Sequence, residues 1–422
     1  MTCKSFVTVS LAMLALVATL PAVAQSHSSC ENFYLAGRYA KAWDTCMADA
    51  RQMDSAVAYA VMGAIAFEGR LEGKGMDLAE KNFIEAAERG HAASQYNLWT
   101  LWNGTDKPAD KREAGMGWLR QAVDQDYAPA LNIMGVLVEA GQDGEVDLER
   151  SRDLYLKASE LGYPPAQYNL GELLARANTG LQDLPTAFAW IDRAAQAGVA
   201  EAQFTVGRTY QFGELGVDRN EGEAARWFRV AADKGQVDSQ LALGLLYLRP
   251  TTLKADPAKG IDYLKQAVAQ DSAEAKYYLA MEILVGGHDF VERDTAQTLK
   301  MLRESAVAGY APAQSYYGLL LSQTNEHDDD ALVWFRESSG QGFAPAQYHL
   351  GRFLAEGRGM DAPDPVESFA WLSLAAEGTD AVMVERAAKY LDDVKGKLDE
   401  AALATAKSRI DEIRKELPGG GE

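Results

Sequence analysis

The sequence predicts an all-α fold, a solenoid of stacked helix–loop–helix units, and three observations carry this. A small residue, replaced once by tryptophan, recurs at one slot through nearly the whole chain: Gly63, Trp99, Gly135, Gly171, Gly207, Gly244, Ala280, Gly318 and Gly351. The steps between them are 36, 36, 36, 36, 37, 36, 38 and 33 residues, a period that marks a repeat array. A second slot keeps the same register with Asn82, Trp118, Leu154, Trp190, Trp227, Tyr263, Met301, Trp334 and Trp371, six of which are aromatic. Finally, no stretch alternates apolar and polar residues as a half-buried strand would.

The elements follow in chain order. The first 24 residues carry Lys4, an apolar run from Phe6 to Leu20 and the small-residue site Ala22-Val23-Ala24 before Gln25, which reads as a cleavable export signal. There is no twin arginine, and Cys3 precedes the apolar run, so it is no lipoprotein cysteine. The run is shorter than the roughly 20 residues of a bilayer-spanning helix, and no later stretch is apolar enough to span, so no membrane insertion of the mature chain is expected. This Sec-type signal puts the mature chain in the periplasm or outside the cell.

Residues 25–54 read as a helical hairpin cap. Cys30 and Cys46 lie on either side of Gly37, and sixteen residues of separation can bring the thiols together across a hairpin. A disulfide is expected there. Two free buried cysteines are the alternative, and a metal site lacks ligands.

Residues 55–380 hold nine copies. In the fifth, Phe204, Val206, Gly207 and Tyr210 lie at helical spacing, as do Ala224, Trp227, Phe228 and Ala231. Small contact residues let the two helices approach, with one aromatic filling the gap. Each copy closes at Gly90, Gly162, Gly198, Gly235, Gly309, Gly342 or Gly378, a residue type suited to a left-handed position past a helix end; Asp126 and Asp271 stand there in two copies. Helix pairs of this size bury their apolar faces only by stacking.

The stretches "AAERGHAASQYNLW", "PPAQYNLGELLA", "AEAQFTVGRTYQFGELGVDRNEGEAARWFRVAADKGQ" and "APAQYHLGRFLAEGRGMDAPDPVESFAWLSLAAEGTD" resemble Sel-one-like repeats (SLR), relatives of the tetratricopeptide repeat (TPR). The resemblance implies a right-handed superhelical α-solenoid. Copies six to eight depart from the pattern: "LRPTTLKADPAKG" lacks loop glycines, Ala280 replaces glycine, and "SQTNEHDDDALVWF" has a short loop. Beyond Gly378 the chain is charged and helical without the pattern, so residues 381–422 read as capping helices ending in a "PGGGE" tail.

Composition limits the function. Lys+Arg 41 against Asp+Glu 61 gives a net charge of -20, which repels phosphate backbones and argues against a nucleic-acid partner. No G-x-S-x-G, S-x-x-K, H-E-x-x-H, C-x-x-C or G-x-G-x-x-G occurs, so no catalytic residue, cofactor or metal is expected. "GRLEGKG" (69–75) lacks phosphate-loop spacing and reads as an inter-helix loop. His27, His91, His288, His327 and His349 are scattered, and "EHDDD" (326–330) reads as a solvated helix start.

What remains is a surface. The slot three before the glycine holds Tyr96, Tyr168, Phe204, Tyr277 and Tyr348, and in tetratricopeptide-like stacking it borders the concave face. Tyrosine there suits recognition of a peptide or glycan. Packing between neighbouring helices is an equally open reading of the same stripe. Asn97, Asn169, Arg208 and Arg352 add hydrogen-bonding groups beside it. The expected function is a non-enzymatic scaffold or regulator that binds a protein partner in the cell envelope. A cell-wall or exopolysaccharide glycan binder is the alternative. The resemblance also raises a β-lactam-binding hydrolase, but such members carry a cysteine pair in essentially every repeat, and this chain has none after Cys46.

Overall fold

The computed structural model describes residues 29–285, 294–323 and 326–418. The expected signal (1–24), His27, His288 and residues 419–422 of the tail lie outside the described residues. Twenty-two helices and no strand occur among the described residues.

Helices α1 (Ser29–Leu35) and α2 (Tyr39–Met53) form the N-terminal hairpin. Gly37, at φ 70°, turns the chain between them, a conformation that glycine adopts without a Cβ penalty. Cys30 and Cys46 form a disulfide with their Cα atoms 5.1 Å apart, and both are fully buried.

Nine helix pairs follow, one per copy. The first helices are α3 (Ala56–Phe67), α5 (Ala92–Trp102), α7 (Ala128–Glu139), α9 (Pro164–Ala175), α11 (Ala200–Phe212), α13 (Val237–Leu248), α15 (Ala273–Val285), α17 (Ala311–Leu321) and α19 (Ala344–Glu356). The second helices are α4 (Met76–Glu88), α6 (Ala109–Asp124), α8 (Leu148–Glu160), α10 (Leu184–Gln196), α12 (Glu221–Ala232), α14 (Pro257–Ala269), α16 (Thr295–Val307), α18 (Asp328–Ser339) and α20 (Pro365–Ala376). Helices α21 (Ala381–Lys395) and α22 (Glu400–Glu416) close the chain against α20.

Local chemistry sets the ends of these helices. Asp147, Asp183, Asp256, Asp294 and Asp364 each cap a second helix by accepting from its first-turn N–H groups. Gly90, Gly162, Gly198, Gly235, Gly309 and Gly342 close copies at positive φ, as expected. Asp126 (φ 56°) and Asp271 (φ 66°) adopt the same left-handed geometry, and the residue after each bonds back to Ala122 and Ala267 as in the glycine copies. Gly378 differs: it is absent from the positive-φ residues, and Asp380 instead caps α21 directly behind it.

Within a copy, the side chain pressed against the glycine is the residue that follows the second landmark, aromatic in some copies and aliphatic in others. A Cβ added at Gly63 would stand 2.6 Å from Phe83, at Gly135 2.6 Å from Tyr155, at Gly171 2.4 Å from Ile191 and at Gly351 2.6 Å from Leu372. Four residues before these side chains lies a second small slot, which includes Ala79, Gly115, Ser151, Ala187, Gly260, Ala331 and Ser368. Ser151 and Ser368 donate from their hydroxyls to the carbonyls of Gly135 and Gly351, at 2.9 and 2.7 Å. In copy two the roles reverse: Trp99 fills the first slot, and Gly115 opposite leaves room, with its Cβ position 3.4 Å from the Trp99 Cα.

Contacts divide the chain into two compact units between Trp227 and Phe228. In the first, the hairpin residues Trp43 and Cys46 share a core with Ile65, Phe83 and Trp102. In the second, Ala387, Val394, Ile410 and Ile413 of the last two helices cover Leu372 and Phe369 of α20. First helices of consecutive copies also touch directly, α7 with α9 and α17 with α19.

"EHDDD" departs in part from a solvated start. Asp329 and Asp330 are exposed in the first turn of α18. Asp328, however, accepts two hydrogen bonds from the Arg358 guanidinium, at 2.6 and 2.8 Å, and Arg358 also donates to the Ser322 carbonyl.

Candidate functional site

On the first-helix face of the first unit, Tyr96 on α5 is half-buried, its ring centre 5.8 Å from that of Tyr127 and 6.0 Å from that of Trp99. Tyr127 immediately precedes α7, so the ring at the start of one copy packs on the stripe residue of the copy before. Burial raises the hydroxyl pKa of both, and pushes that of Tyr163 up to about 12.

One and two copies later the face is polar. Tyr168 on α9 is half-buried with its hydroxyl 3.5 Å from Thr205 Oγ1, and burial followed by the Glu172 charge lifts it to about 12. Asn169 Nδ2 donates to Asn132 Oδ1 at 2.8 Å. Arg176 pairs with Glu139 at 2.5 Å, and Tyr155 donates to the same carboxylate at 2.9 Å. Glu172 lies among them, its pKa raised by burial against the opposing pull of Arg208 and Arg176. Arg208 on α11 is 51% exposed and pairs with Glu214 at 3.2 Å. Asn97 and Phe204 are half-buried.

The Sel1 repeat model matches residues 92–127, 128–163, 164–199, 200–236, 237–272, 273–310 and 344–380. The chain belongs to the Sel1 repeat family. The two copies outside the match, the first and the eighth, still form the helix pairs α3/α4 and α17/α18. Solved structures agree on the fold. One is c5321, a protective antigen present in uropathogenic Escherichia coli strains displaying an SLR fold: 22% identity over 92% of this chain and 84% of that one, TM-score 0.71. Another is a Sel1 repeat protein from Oxalobacter formigenes: 24% identity over 74% of this chain and 89% of that one, TM-score 0.54.

In the second unit, the Sel1 copies carry the remaining stripe residues. Tyr277 on α15 is half-buried between Tyr278 and Tyr310, at 5.3 and 5.4 Å. Tyr348 on α19 is 7% exposed and meets Tyr390 of α21 edge-on at 6.3 Å. Arg352 lies over both rings, 5.8 and 5.4 Å from their centres, and pairs with Glu356 at 3.3 Å. His349 stacks on Phe335 at 5.3 Å, and burial, then Arg352 and Arg386, lower its pKa to about 4. His91 caps α5 through its ring nitrogen and is likewise pushed down to about 4 by burial.

Sequence reasoning missed a glutamine slot four before the glycine position. Nε2 of Gln95, Gln167, Gln203, Gln240 and Gln314 donates to the carbonyl eight residues earlier, at the end of the preceding second helix. Gln125, Gln270 and Gln341 then donate to the side-chain oxygens of Gln95, Gln240 and Gln314 within the same copy, while the bonds to the preceding helix join that copy to the one before. The recurrence of Gln at that slot was the available signal.

No group of three metal-ligating side chains occurs among the described residues, and no helix among them is long and apolar enough to cross a membrane. What the face offers is hydrogen-bonding and ionic contact.

Proposed function

We propose that this Sel1 repeat protein is a non-enzymatic scaffold of the periplasm or the cell exterior that holds a protein partner along its first-helix face, centred on copies three to five. One observation carries the reading: Arg176, just past α9, and Arg208 on α11 hold half-exposed guanidiniums beside half-buried Tyr168, Asn169 and Glu172 of α9. Positioned charge flanked by partly desolvated aromatic and amide groups is the composition of a binding hot spot, where arginine and tyrosine are enriched. The repeat fold supports it, since stacked helix pairs expose a continuous face. The export signal read from residues 1–24 supports the location.

The test replaces the exposed groups and spares the packed ones. Arg176→Glu with Arg208→Glu, and separately Tyr168→Phe, would be compared with the mature chain as baits in cross-linked envelope extract. A specific envelope protein retained by the mature chain and by Tyr168→Phe, but lost with the double reversal, supports the reading. Retention unaffected by the reversal refutes this face.

A further inference from the structure

The chain carries a net charge of -20, yet in one cleft every charged lining residue is a cation. The cleft, of about 470 Å³, lies where the α1–α2 turn meets the loop after α3, and its charged lining residues are Arg38, Lys41 and Arg70. Arg38 and Lys41 come from "GRYAK" (37–41), and Arg70 from "GRLEGKG" (69–75). Both stretches turn through left-handed glycines, Gly37 at φ 70° and Gly69 at φ 62°.

Aromatic rings hold two of the three cations. Lys41 Nζ lies 4.2 Å from the Phe33 ring centre, and the Arg70 guanidinium 5.3 Å from that of Tyr39, which also lines the cleft. Neither Arg38 nor Lys41 has a carboxylate within ion-pair distance among the described residues. Arg70 is bound to Glu68 at 2.8 Å, but that carboxylate is turned inward, 11% exposed and accepting from the Tyr34 hydroxyl at 2.5 Å. Asp44 and Glu72 are exposed neighbours in sequence and do not line the cleft. Tyr39, Ala40 and Lys41 begin α2, and no side chain caps it, so the positive end of that helix adds to the three side-chain charges.

We propose that this cleft binds a phosphate group carried by a small molecule or a lipid headgroup. Three cations and an uncapped helix start exceed what one carboxylate can neutralise, whereas a phosphate monoester carries close to two negative charges, a phosphodiester headgroup one, and either accepts several hydrogen bonds at once. The site lies away from the first-helix residues named above, so it stands or falls independently of the protein-binding reading.

The experiment is calorimetric titration of the mature chain with inorganic phosphate at low ionic strength. It is repeated on Arg38→Gln/Lys41→Gln and on Lys395→Gln/Lys397→Gln, which removes equal charge from exposed positions elsewhere. Each variant is first shown to keep its helical circular dichroism. One phosphate per chain is expected, weakened at least tenfold by the first pair and unchanged by the second. A parallel arm sediments the chain with vesicles of phosphatidylcholine and phosphatidylglycerol (about 3:1). Phosphate binding without sedimentation points to a small phosphorylated molecule, and both together point to a headgroup. Absence of phosphate binding, equal binding by Arg38→Gln/Lys41→Gln, or sedimentation without phosphate binding overturns the proposal.

Discussion

Alanine at Gly135 and at Gly171 should behave differently, and the difference follows from which atoms stand opposite. At Gly135 the three atoms nearest an added Cβ, at 2.6, 2.8 and 3.1 Å, all belong to the Tyr155 ring. At Gly171 the added Cβ meets Ile191 Cγ1 at 2.4 Å and also the Ala187 carbonyl oxygen at 2.8 Å, which is backbone. Overpacking of this kind costs about 1–3 kcal/mol, and the better helix propensity of alanine returns about 1 kcal/mol. We expect Gly135→Ala to destabilise by about 1–2 kcal/mol and Gly171→Ala by about 2–3 kcal/mol, the backbone conflict placing the second near the upper end.

Double-mutant cycles separate the causes. In a Tyr155→Ala background the three nearest conflicts at Gly135 are gone, so the cost of Gly135→Ala should largely vanish, offset by the better helix propensity of alanine, about 1 kcal/mol. In an Ile191→Ala background the Ala187 carbonyl remains, so Gly171→Ala stays destabilising. Urea unfolding of the full chain, followed by circular dichroism, reads both cycles. Equal cost of Gly135→Ala in both backgrounds, or a stabilising Gly171→Ala beside intact Ile191, would refute the packing argument.

Three other outcomes are expected. Trp99→Gly, which restores the residue type most other copies use, should cost about 4 kcal/mol or more, because Trp99 is buried opposite Gly115 and the change leaves a cavity; a melting-temperature comparison reads it. Folded pKa values of about 4 for His91 and His349, below the ordinary imidazole value, mean the unfolded chain binds more protons between roughly pH 6.5 and 4. Stability should therefore fall as pH drops through that window, by up to about 3 kcal/mol per histidine, and His91→Gln with His349→Gln should flatten the profile in a pH series of urea melts. Cys30→Ser with Cys46→Ser opens a loop of 16 residues, worth about 3 kcal/mol. Amide exchange should speed up in α1 and α2 and stay unchanged in α19 and α20, since stacked repeats couple mainly to their neighbours.

Much of the helix layout was legible in the sequence because a 36-residue step with a small residue at one slot leaves few alternatives to stacked helix pairs. The hairpin disulfide was legible for a similar reason, two cysteines flanking one turn glycine. The partner of the glycine was not, since Trp190 and Ile191 are both apolar and only their rotation around α10 decides which faces α9. Nor was Gly378, whose turn is set by the cap of a helix outside the repeat pattern.

The stripe shows a further limit. How far Tyr96 and Tyr277 are covered depends on Tyr127 and Tyr310 at the start of the next copy, a contact that a slot-by-slot reading does not contain. The Arg176–Glu139 pair and the Gln–Gln bonds Gln125–Gln95 and Gln270–Gln240 join residues 30 or more positions apart, so their types were visible and their partners were not.

The most direct test of the scaffold is a photo-cross-linking amino acid placed at Arg208 on the first-helix face and, separately, at Gln196, which is exposed on the second helix of the preceding copy. After irradiation in the native envelope, the account predicts one discrete heteromeric adduct from position 208 and none from position 196. Adducts from 196 alone, or equal adducts from both, would contradict it.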